Sequence, residues 1–268
     1  MIAVIMLAAF PHAQDTPRIV RFEPNALAGR DWSSDAGGRT KTHYYYRSRQ
    51  NNRVAAGIWE SPDYSGQMRR ASFTEFIYLL RGSITLTHKS GREETFKAGD
   101  ALIIPRGTEF QWKRSDDVKE YWVIFEREDG PQALAPVTGT PVFFRIHRDG
   151  PDGKGLAAEG RTKQHEYYSG ADGSSIGVWE TAPHTAPAFH KTSYAELMVF
   201  LKGNATLTTP DGQQERFSAG DVALVPKGIE YKWSSDTVRK FWVIFDKDAK
   251  PSASPLLESL DYGSSRSR

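Results

Sequence analysis

The sequence carries one stretch twice: GDALIIPRG at residues 99–107 returns as GDVALVPKG at residues 220–228. In both copies a glycine precedes a short apolar run, and Pro-x-Gly ends that run. Short apolar runs bounded by turn residues are typical of buried strands, and proline cannot continue a central β-ladder. The stretch therefore predicts a buried strand that ends in a sharp turn, and it predicts this strand in two places.

Three more segments repeat at the same spacing of 120 or 121 residues. They are GIWE and GVWE at 57–60 and 177–180, EFIYLLRG and ELMVFLKG at 75–82 and 196–203, and YWVIF and FWVIF at 121–125 and 241–245. This period is far longer than the roughly 20–50 residues of solenoid repeats, so each copy is a whole domain. We expect an N-terminal domain at 18–128, a linker at 129–140, a C-terminal domain at 141–248 and a tail at 249–268.

The local pattern in each copy favours strands over helices. Residues 83–87, SITLT, alternate polar and apolar side chains, and Ser90-Gly91 follows as a turn. Many short strands separated by regular turn signals indicate an antiparallel barrel or sandwich. The sequence therefore predicts an all-β protein with two barrels.

Composition excludes several classes of function. Lys and Arg number 35 against 33 Asp and Glu, and this near-neutral balance argues against a nucleic-acid partner. The absence of cysteine excludes disulfides and thiolate catalysis and fits a reducing compartment, so we expect a cytoplasmic protein. The apolar run at residues 2–10 is too short to cross a bilayer and lacks a preceding basic residue, so we expect no membrane association. We also expect a homodimer.

Two spacings resemble the motifs of a known superfamily. Glu-x6-Gly, at 75–82 and 196–203, closes the first cupin motif, and Gly-x5-Pro-x-Gly, at 99–107 and 220–228, opens the second. With Gly-x-Trp-Glu before the first motif and aromatic-x-Trp after the second, the chain resembles the ureidoglycine aminohydrolase cupin-domain family, which includes ethanolamine-utilisation cupins. The resemblance implies a bicupin, with two tandem RmlC-like jelly-roll β-barrels.

The resemblance also bears on a metal. Metal-dependent cupins bind their ion through two histidines and a glutamate of the first motif and a histidine of the second. In the N-terminal copy only Glu75 is kept, and Phe110 stands at the position of the second-motif histidine. The C-terminal copy keeps His190 and Glu196, with Tyr231 at the second-motif position. We expect no cofactor, with a divalent ion (Mn, Zn, Ni or Fe) at His190 and Glu196 as the weaker alternative.

The motif-one glutamate of cupins points into the barrel, and period-two alternation then turns the residues two and four positions later inward. The outcome is one carboxylate per barrel among aromatic and aliphatic walls, which is costly unless the carboxylate is paired. The candidate ligand-binding residues are Glu75, Arg69, Phe110 and Trp112 in the N-terminal copy and His190, Glu196, Met198, Tyr231 and Trp233 in the C-terminal copy.

Three functions compete at this point. The first is a small-molecule-binding bicupin that has lost most metal ligands and takes a polar metabolite or an amine. The second is a metal-assisted enzyme of the ureidoglycine aminohydrolase type, with Glu196 as general base and His190 as its partner. The third is a structural or regulatory module with filled barrels.

In that third case we expect internal ion pairs: Glu75 with Arg69 or Arg70, and Glu196 with His190 or Lys191. We favour binding and the C-terminal barrel, because only that barrel keeps a histidine beside its glutamate. Whether the protein is an enzyme stays open.

Overall fold

A computed structural model describes residues 18–28, 32–34, 38–48, 54–125, 141–151, 156–170 and 172–247. The apolar run at 2–10, the expected linker and the expected tail lie outside these residues. Strands dominate the described part of the chain, so the predicted all-β fold is confirmed.

The N-terminal half contains ten strands and a 3-10 turn at Ala26–Ala28. The strands are β1 Val20–Arg21, β2 Ser33–Ser34, β3 Lys41–Arg47, β4 Ala55–Ser61, β5 Tyr64–Ser65, β6 Arg69–Arg70, β7 Thr74–His88, β8 Glu93–Lys97, β9 Ala101–Ile104 and β10 Glu109–Phe125.

The C-terminal half repeats this order with shorter strands. They are β11 Phe144–Ile146, β12 Ala157–Glu159, β13 Thr162–Ser169, β14 Ser175–Thr181, β15 His184–Thr185, β16 His190–Lys191, β17 Ala195–Lys202, β18 Asn204–Thr208, β19 Gln214–Ser218, β20 Val222–Val225, β21 Glu230–Ser235 and β22 Val238–Phe245.

All described strand pairs are antiparallel, but the two halves connect their sheets differently. In the N-terminal half the long strands β7 and β10 run through both walls of the barrel, giving one sheet of order β11-β9-β7-β10-β4-β3-β2 with β5, β6 and β8 at its margins. In the C-terminal half the matching strands are interrupted. The result is a sheet of order β1-β20-β17-β22-β14-β13-β12 and a second of order β15-β21-β18-β19 with β16 at its margin.

The first strand of each half pairs with the sheet of the other half. Strand β1 pairs with β20 through Val20 and Leu224, and β11 pairs with β9 through Phe144 and Ile103. An arginine anchors each exchange: Arg21 lies 2.8 Å from Asp221, and Arg145 lies 2.5 Å from Asp100. A domain beginning at residue 18 therefore starts with a strand that belongs to the other barrel's sheet.

Apolar side chains of the described residues form three large clusters and a small fourth one of Tyr194, Trp242 and Ile244. A shared core, including Phe76, Tyr121, Leu197 and Phe241, draws on both halves. The residues between these positions point the other way, into the barrels, as the predicted alternation requires. The interior of the N-terminal barrel includes Ile77, Leu79, Phe110 and Trp112, and that of the C-terminal barrel includes Met198, Phe200, Tyr231 and Trp233.

Close packing against a neighbouring strand and a tryptophan ring explains the glycine of the repeated Gly-x-Trp-Glu segment. A Cβ at Gly177 would lie 2.4 Å from the carbonyl oxygen of His165 and 2.4 Å from the ring of Trp242. At Gly57 the same two contacts, with His43 and Trp122, would be 2.3 and 2.8 Å. Only glycine lets the neighbouring strand and the indole approach this closely.

The part of the chain that the structure describes contains no helix long and apolar enough to span a membrane.

Candidate functional site

A cavity of about 90 Å³ opens in the C-terminal barrel. Its walls combine aromatic rings with a few polar groups that converge from β13, β15, β16, β17 and β22. The aromatic and aliphatic walls are Trp179, Tyr194, Tyr231, Trp233, Trp242 and Ile244, and the polar groups are Gln164, His184, His190, Glu196 and Lys240. A mostly apolar cavity with a small number of convergent polar groups is the usual form of a small-molecule site.

A buried ion pair lies at the centre of this wall. The ammonium of Lys240 donates a hydrogen bond to Glu196 Oε1 at 2.6 Å, and both residues are less than 10% exposed. Burying two charges is expensive, and the cost is offset only when the pair has good geometry and other favourable contacts. Those contacts come from the neighbouring tryptophans.

Two indole rings flank the ammonium. Lys240 Nζ lies 5.2 Å from the ring centroids of both Trp179 and Trp233, within the range of cation–π attraction. The two rings meet edge to face at 6.0 Å, and Trp233 also stacks on Phe200. Lys240 is thus held by one carboxylate and two aromatic faces.

One polar atom of this wall lacks a protein partner. Trp233 Nε1 is buried, and no described residue accepts a hydrogen bond from it. A buried donor without an acceptor costs about 1–3 kcal/mol. Because Trp233 lines the cavity, a ligand bound there is a candidate acceptor for the hydrogen bond of its indole N–H.

The two histidines of the cavity lie on its rim strands. His184 Nδ1 lies 3.1 Å from Arg161, and burial together with that nearby charge lowers the pKa of His184 below its usual value. The neutral ring is therefore favoured at neutral pH. His190 lies opposite Tyr231 in the β16–β21 pairing.

The structure places four of the five residues proposed for the C-terminal site on the cavity: His190, Glu196, Tyr231 and Trp233. Met198 is fully buried in the barrel interior and is not among the lining residues.

The sequence did not predict the observed ion-pair partner of Glu196, which is Lys240. Lys191, one of the two expected partners, is exposed on β16. Sequence reasoning missed Lys240 because it lies 44 residues away and was overlooked beside Trp242. A signal was available, since the repeat aligns Lys240 with Glu120, and this reversal of charge is the kind of difference between copies that marks a site.

The residues present do not suit a divalent ion at His190 and Glu196. Among the described residues, no three His, Asp or Glu side chains converge as a metal would require. In addition, the ammonium of Lys240 occupies the carboxylate that would be the anionic ligand. A cation bound there would meet a second positive charge.

The N-terminal barrel holds a different charge arrangement. Glu120 is 3% exposed. Glu75 lies on the neighbouring strand; the residue as a whole is partly exposed, but its carboxyl group is buried. Burial raises the pKa of Glu75 to about 7, and Arg69 opposes this shift. Burial and the charge of Glu75 raise the pKa of Glu120 well above its usual value, against the opposing effect of Arg114.

The expected ion pair of Glu75 with Arg69 or Arg70 is absent: Glu75 forms no ion pair with any described residue. Arg69 instead lies over the ring of Phe110 at 5.1 Å, and Arg114 lies between the rings of Trp59 and Tyr64 at 4.7 and 4.6 Å. The proposed residues Glu75, Arg69, Phe110 and Trp112 therefore belong to one barrel but do not form the expected pair.

The fold and this site define a class: two tandem β-barrels that share a core, one of them with an aromatic-lined cavity around a buried ion pair. The EutQ-like cupin domain model matches residues 49–132 and 169–242, which is more than half of the chain. The chain therefore belongs to the EutQ-like cupin domain family, and the expected cupin jelly-roll fold is confirmed. No curated protein matches the sequence.

Several solved structures share this architecture. A protein of unknown function of the DUF861 family from Pseudomonas syringae pv. tomato is 22% identical, with a TM-score of 0.65 over 85% of this chain and 100% of that chain. A putative glyoxylate-induced protein from Pseudomonas aeruginosa is 13% identical, with a TM-score of 0.58 over 90% of this chain and 96% of that chain.

The DUF861 protein Ylba from E. coli is 11% identical, with a TM-score of 0.55 over 87% of this chain and 93% of that chain. At these identities the likeness concerns the fold alone.

Proposed function

We propose that the C-terminal barrel binds a small polar metabolite through hydrogen-bond acceptor groups of that molecule, such as a carboxylate or a carbonyl. The observation that carries this proposal is the cavity around Lys240 and Glu196, into whose wall Trp233 brings a buried N–H without an acceptor. The indole N–H of Trp233 is thus available to donate a hydrogen bond to a ligand.

Donors dominate the polar part of this site. The ammonium of Lys240 has three N–H groups and directs one to Glu196 Oε1. Trp233 adds its indole N–H, and Gln164 lines the same cavity with an amide. A ligand oxygen that accepts from Lys240 or Trp233 would make a bond in an environment that excludes much of the water, where such bonds are strong.

An amine is a poor ligand for this barrel. The place that a cation would take, against the carboxylate and between two indole rings, is filled by Lys240 itself. The geometry therefore favours the polar metabolite over the amine here.

The two other hypotheses find less support. A filled structural barrel does not fit a cavity of about 90 Å³, which holds several non-hydrogen atoms of a ligand. A metal-assisted reaction of the ureidoglycine aminohydrolase type needs Glu196 as an available base, yet this carboxylate accepts a hydrogen bond from Lys240. We therefore propose binding rather than that catalysis.

A thermal-shift screen of small carboxylic acids, ureido acids and sugar acids tests the proposal. We expect at least one compound to raise the melting temperature, and we expect Trp233→Phe, which keeps the ring and removes the N–H, to reduce that rise. Trp122→Phe is the control, since it alters a buried indole of the other barrel. The proposal fails if no compound acts or if both variants respond like the wild type.

We also propose that the protein works in the cytoplasm as a homodimer. Light scattering on the purified chain tests the second part: twice the chain mass of 30.0 kDa is expected, and the monomer mass would refute it.

A further inference from the structure

The two barrels place opposite charges at one position. Glu120 and Lys240 are equivalent, because Trp122 and Trp242 two residues later belong to the same repeated segment. Arg69 and Arg114 of the N-terminal barrel stand where the C-terminal barrel has His190 and Ser235. Other surroundings are matched: each barrel has a motif-one glutamate and a pair of tryptophans. These are Glu75, Trp59 and Trp112 in the N-terminal barrel and Glu196, Trp179 and Trp233 in the C-terminal barrel.

Strand register shows that the two glutamates face each other. In the C-terminal barrel Glu196 pairs with Ile244 and Lys240 with Phe200, and from these positions the side chains meet at 2.6 Å. In the N-terminal barrel Glu75 pairs with Ile124 and Glu120 with Leu79, which is the same offset. The proximity is also seen in the charge of Glu75, which raises the pKa of Glu120.

One oxygen of this pair is not satisfied by the described residues. Glu120 Oε2 is buried and no described residue donates a hydrogen bond to it, and Trp112 Nε1 in the same barrel is likewise buried without an acceptor. Neither Glu75 nor Glu120 has an ion-pair partner within 4.0 Å among the described residues. Buried polar atoms of this kind call for a ligand, a water or a proton.

Other charged groups surround the pair at a distance. The groups that act on the two carboxyls or on their neighbouring guanidinium are Arg69 on β6, Arg114 on β10, Tyr64 on β5 and Arg39. Arg114 is held by cation–π contacts with Trp59 and Tyr64, and its own Nε lacks a hydrogen-bond acceptor. Arg69 and Arg114 therefore oppose the pKa rise of Glu75 and Glu120, and neither forms an ion pair within 4.0 Å with these carboxyls.

We propose that the N-terminal barrel binds the ammonium group of a small primary amine between Glu75 and Glu120. The ammonium takes the place that Lys240 Nζ takes in the other barrel. It donates charge-assisted hydrogen bonds to two carboxylates, and the ring of Trp112 flanks it as Trp233 flanks Lys240. This site lies in the barrel that the proposed metabolite site does not use, so each proposal stands or fails separately.

Proton release accompanies this binding. The pair holds at least one proton at neutral pH, because burial raises the pKa of both carboxyl groups and the charge of Glu75 raises the pKa of Glu120 further. An ammonium ion stabilises the ionised form of both, so binding expels that proton. Affinity for the amine therefore rises as the pH rises through about 7, the pKa of Glu75.

Methylammonium chloride is the simplest probe. We expect it to raise the melting temperature of the full chain by about 2–4 °C above that in potassium chloride of equal ionic strength, because a ligand that binds only the folded state stabilises it. Calorimetric titration in buffers of different ionisation enthalpy is expected to show proton release, and the melting shift is expected to grow from mildly acidic to mildly alkaline pH.

Two variants locate the site. Glu120→Gln keeps the shape but removes one carboxylate, and we expect it to weaken methylammonium binding at least tenfold. Glu120→Lys rebuilds the arrangement of the C-terminal barrel with its own ammonium, so it is expected to fold and to abolish the methylammonium response. Asp63→Asn, which removes an exposed carboxylate, is the control and is expected to respond like the wild type.

The proposal is overturned if methylammonium acts no differently from potassium, or if its effect is unchanged in Glu120→Lys. It is also overturned if the effect does not depend on pH. The metabolite site of the C-terminal barrel is expected to respond to its own ligand in Glu120→Lys as in the wild type, which keeps the two proposals distinguishable.

Discussion

At the scale of single residues, the pairing of Lys240 with Glu196 decides what the C-terminal barrel can hold. The Glu196 carboxylate, which a metal ion or an amine would need, already pairs with Lys240. The ammonium of Lys240 also lies against the indole rings of Trp179 and Trp233. The same position in the N-terminal barrel holds Glu120, which leaves two acidic groups unpaired. A single substitution between the copies thus gives the barrels different chemistry.

Removing Lys240 alone is expected to be costly. Lys240→Met leaves the buried Glu196 carboxyl without its partner, and breaking a buried ion pair in this way destabilises proteins by about 3–5 kcal/mol. The double variant Lys240→Met/Glu196→Leu removes both charges and is expected to lose less than Lys240→Met alone. Urea denaturation measures the free energies of unfolding of the wild type, Lys240→Met, Glu196→Leu and the double variant, which complete the cycle. If the two changes simply add, the buried pair does not exist as described.

Stability is expected to depend on pH through Glu75 and Glu120. Both pKa values are raised in the folded state, so the favourable contribution of these groups is fully present at low pH and is lost as the pH rises from about 4.5 through about 7. Relative to the wild type, Glu120→Gln is therefore expected to gain stability as the pH rises, by up to about 1.4 kcal/mol per pH unit. Denaturation at several pH values checks this, and a constant difference would refute the shared burial.

The sequence predicts which way a site residue points from its own strand, but not which residue of another strand it contacts. The inward direction of Phe110, Trp112, Tyr231 and Trp233 follows from alternation along one strand, and the structure agrees. The partner of Glu196 does not follow, since pairing across strands depends on register between segments 44 residues apart. Lys191, a candidate much nearer in sequence, is exposed on β16.

At the scale of elements, the repeated motifs are explained by close approach. Gly177 on β14 packs against the carbonyl oxygen of His165 and the ring of Trp242. Gly177→Ala is expected to destabilise the protein by about 1–3 kcal/mol, because a well-packed interior resists an added methyl group.

Chemical denaturation of Gly177→Ala gives this cost, and Gly177→Ala with Trp242→Phe is the informative companion. Since the contact with the His165 carbonyl remains, the smaller ring is expected to restore only part of the loss. Full stability in Gly177→Ala would show that the two strands do not approach as closely as described.

Most strands were predictable from the sequence, because buried runs such as residues 101–104 and 222–225 carry their own turn signals. The exchange of first strands was not. Whether Val20–Arg21 pairs with its own sheet or with that of the other half depends on the path of the whole chain, and no local pattern encodes it. Arg21 and Arg145 occupy matched positions, yet the sequence alone does not say whose aspartate each contacts.

At the scale of the whole molecule, the two halves share a core and exchange strands, so they are expected to unfold together. Differential scanning calorimetry is expected to show one transition whose calorimetric and van't Hoff enthalpies agree. Two separated transitions would show that the barrels are independent units. The repeat predicted two domains, but it could not predict this coupling, because the shared core arises from contacts between copies rather than within one.

We propose that the C-terminal barrel binds a polar metabolite through the donors beside Lys240 and Glu196, without a metal ion. Calorimetric titration of the strongest compound from the screen, after treatment of the protein with a chelator, is the decisive measurement. We expect saturable binding that survives metal removal and is weakened about twofold to tenfold in Trp233→Phe, the effect of one lost hydrogen bond. Binding that disappears with the metal, or that Trp233→Phe leaves unchanged, would contradict it.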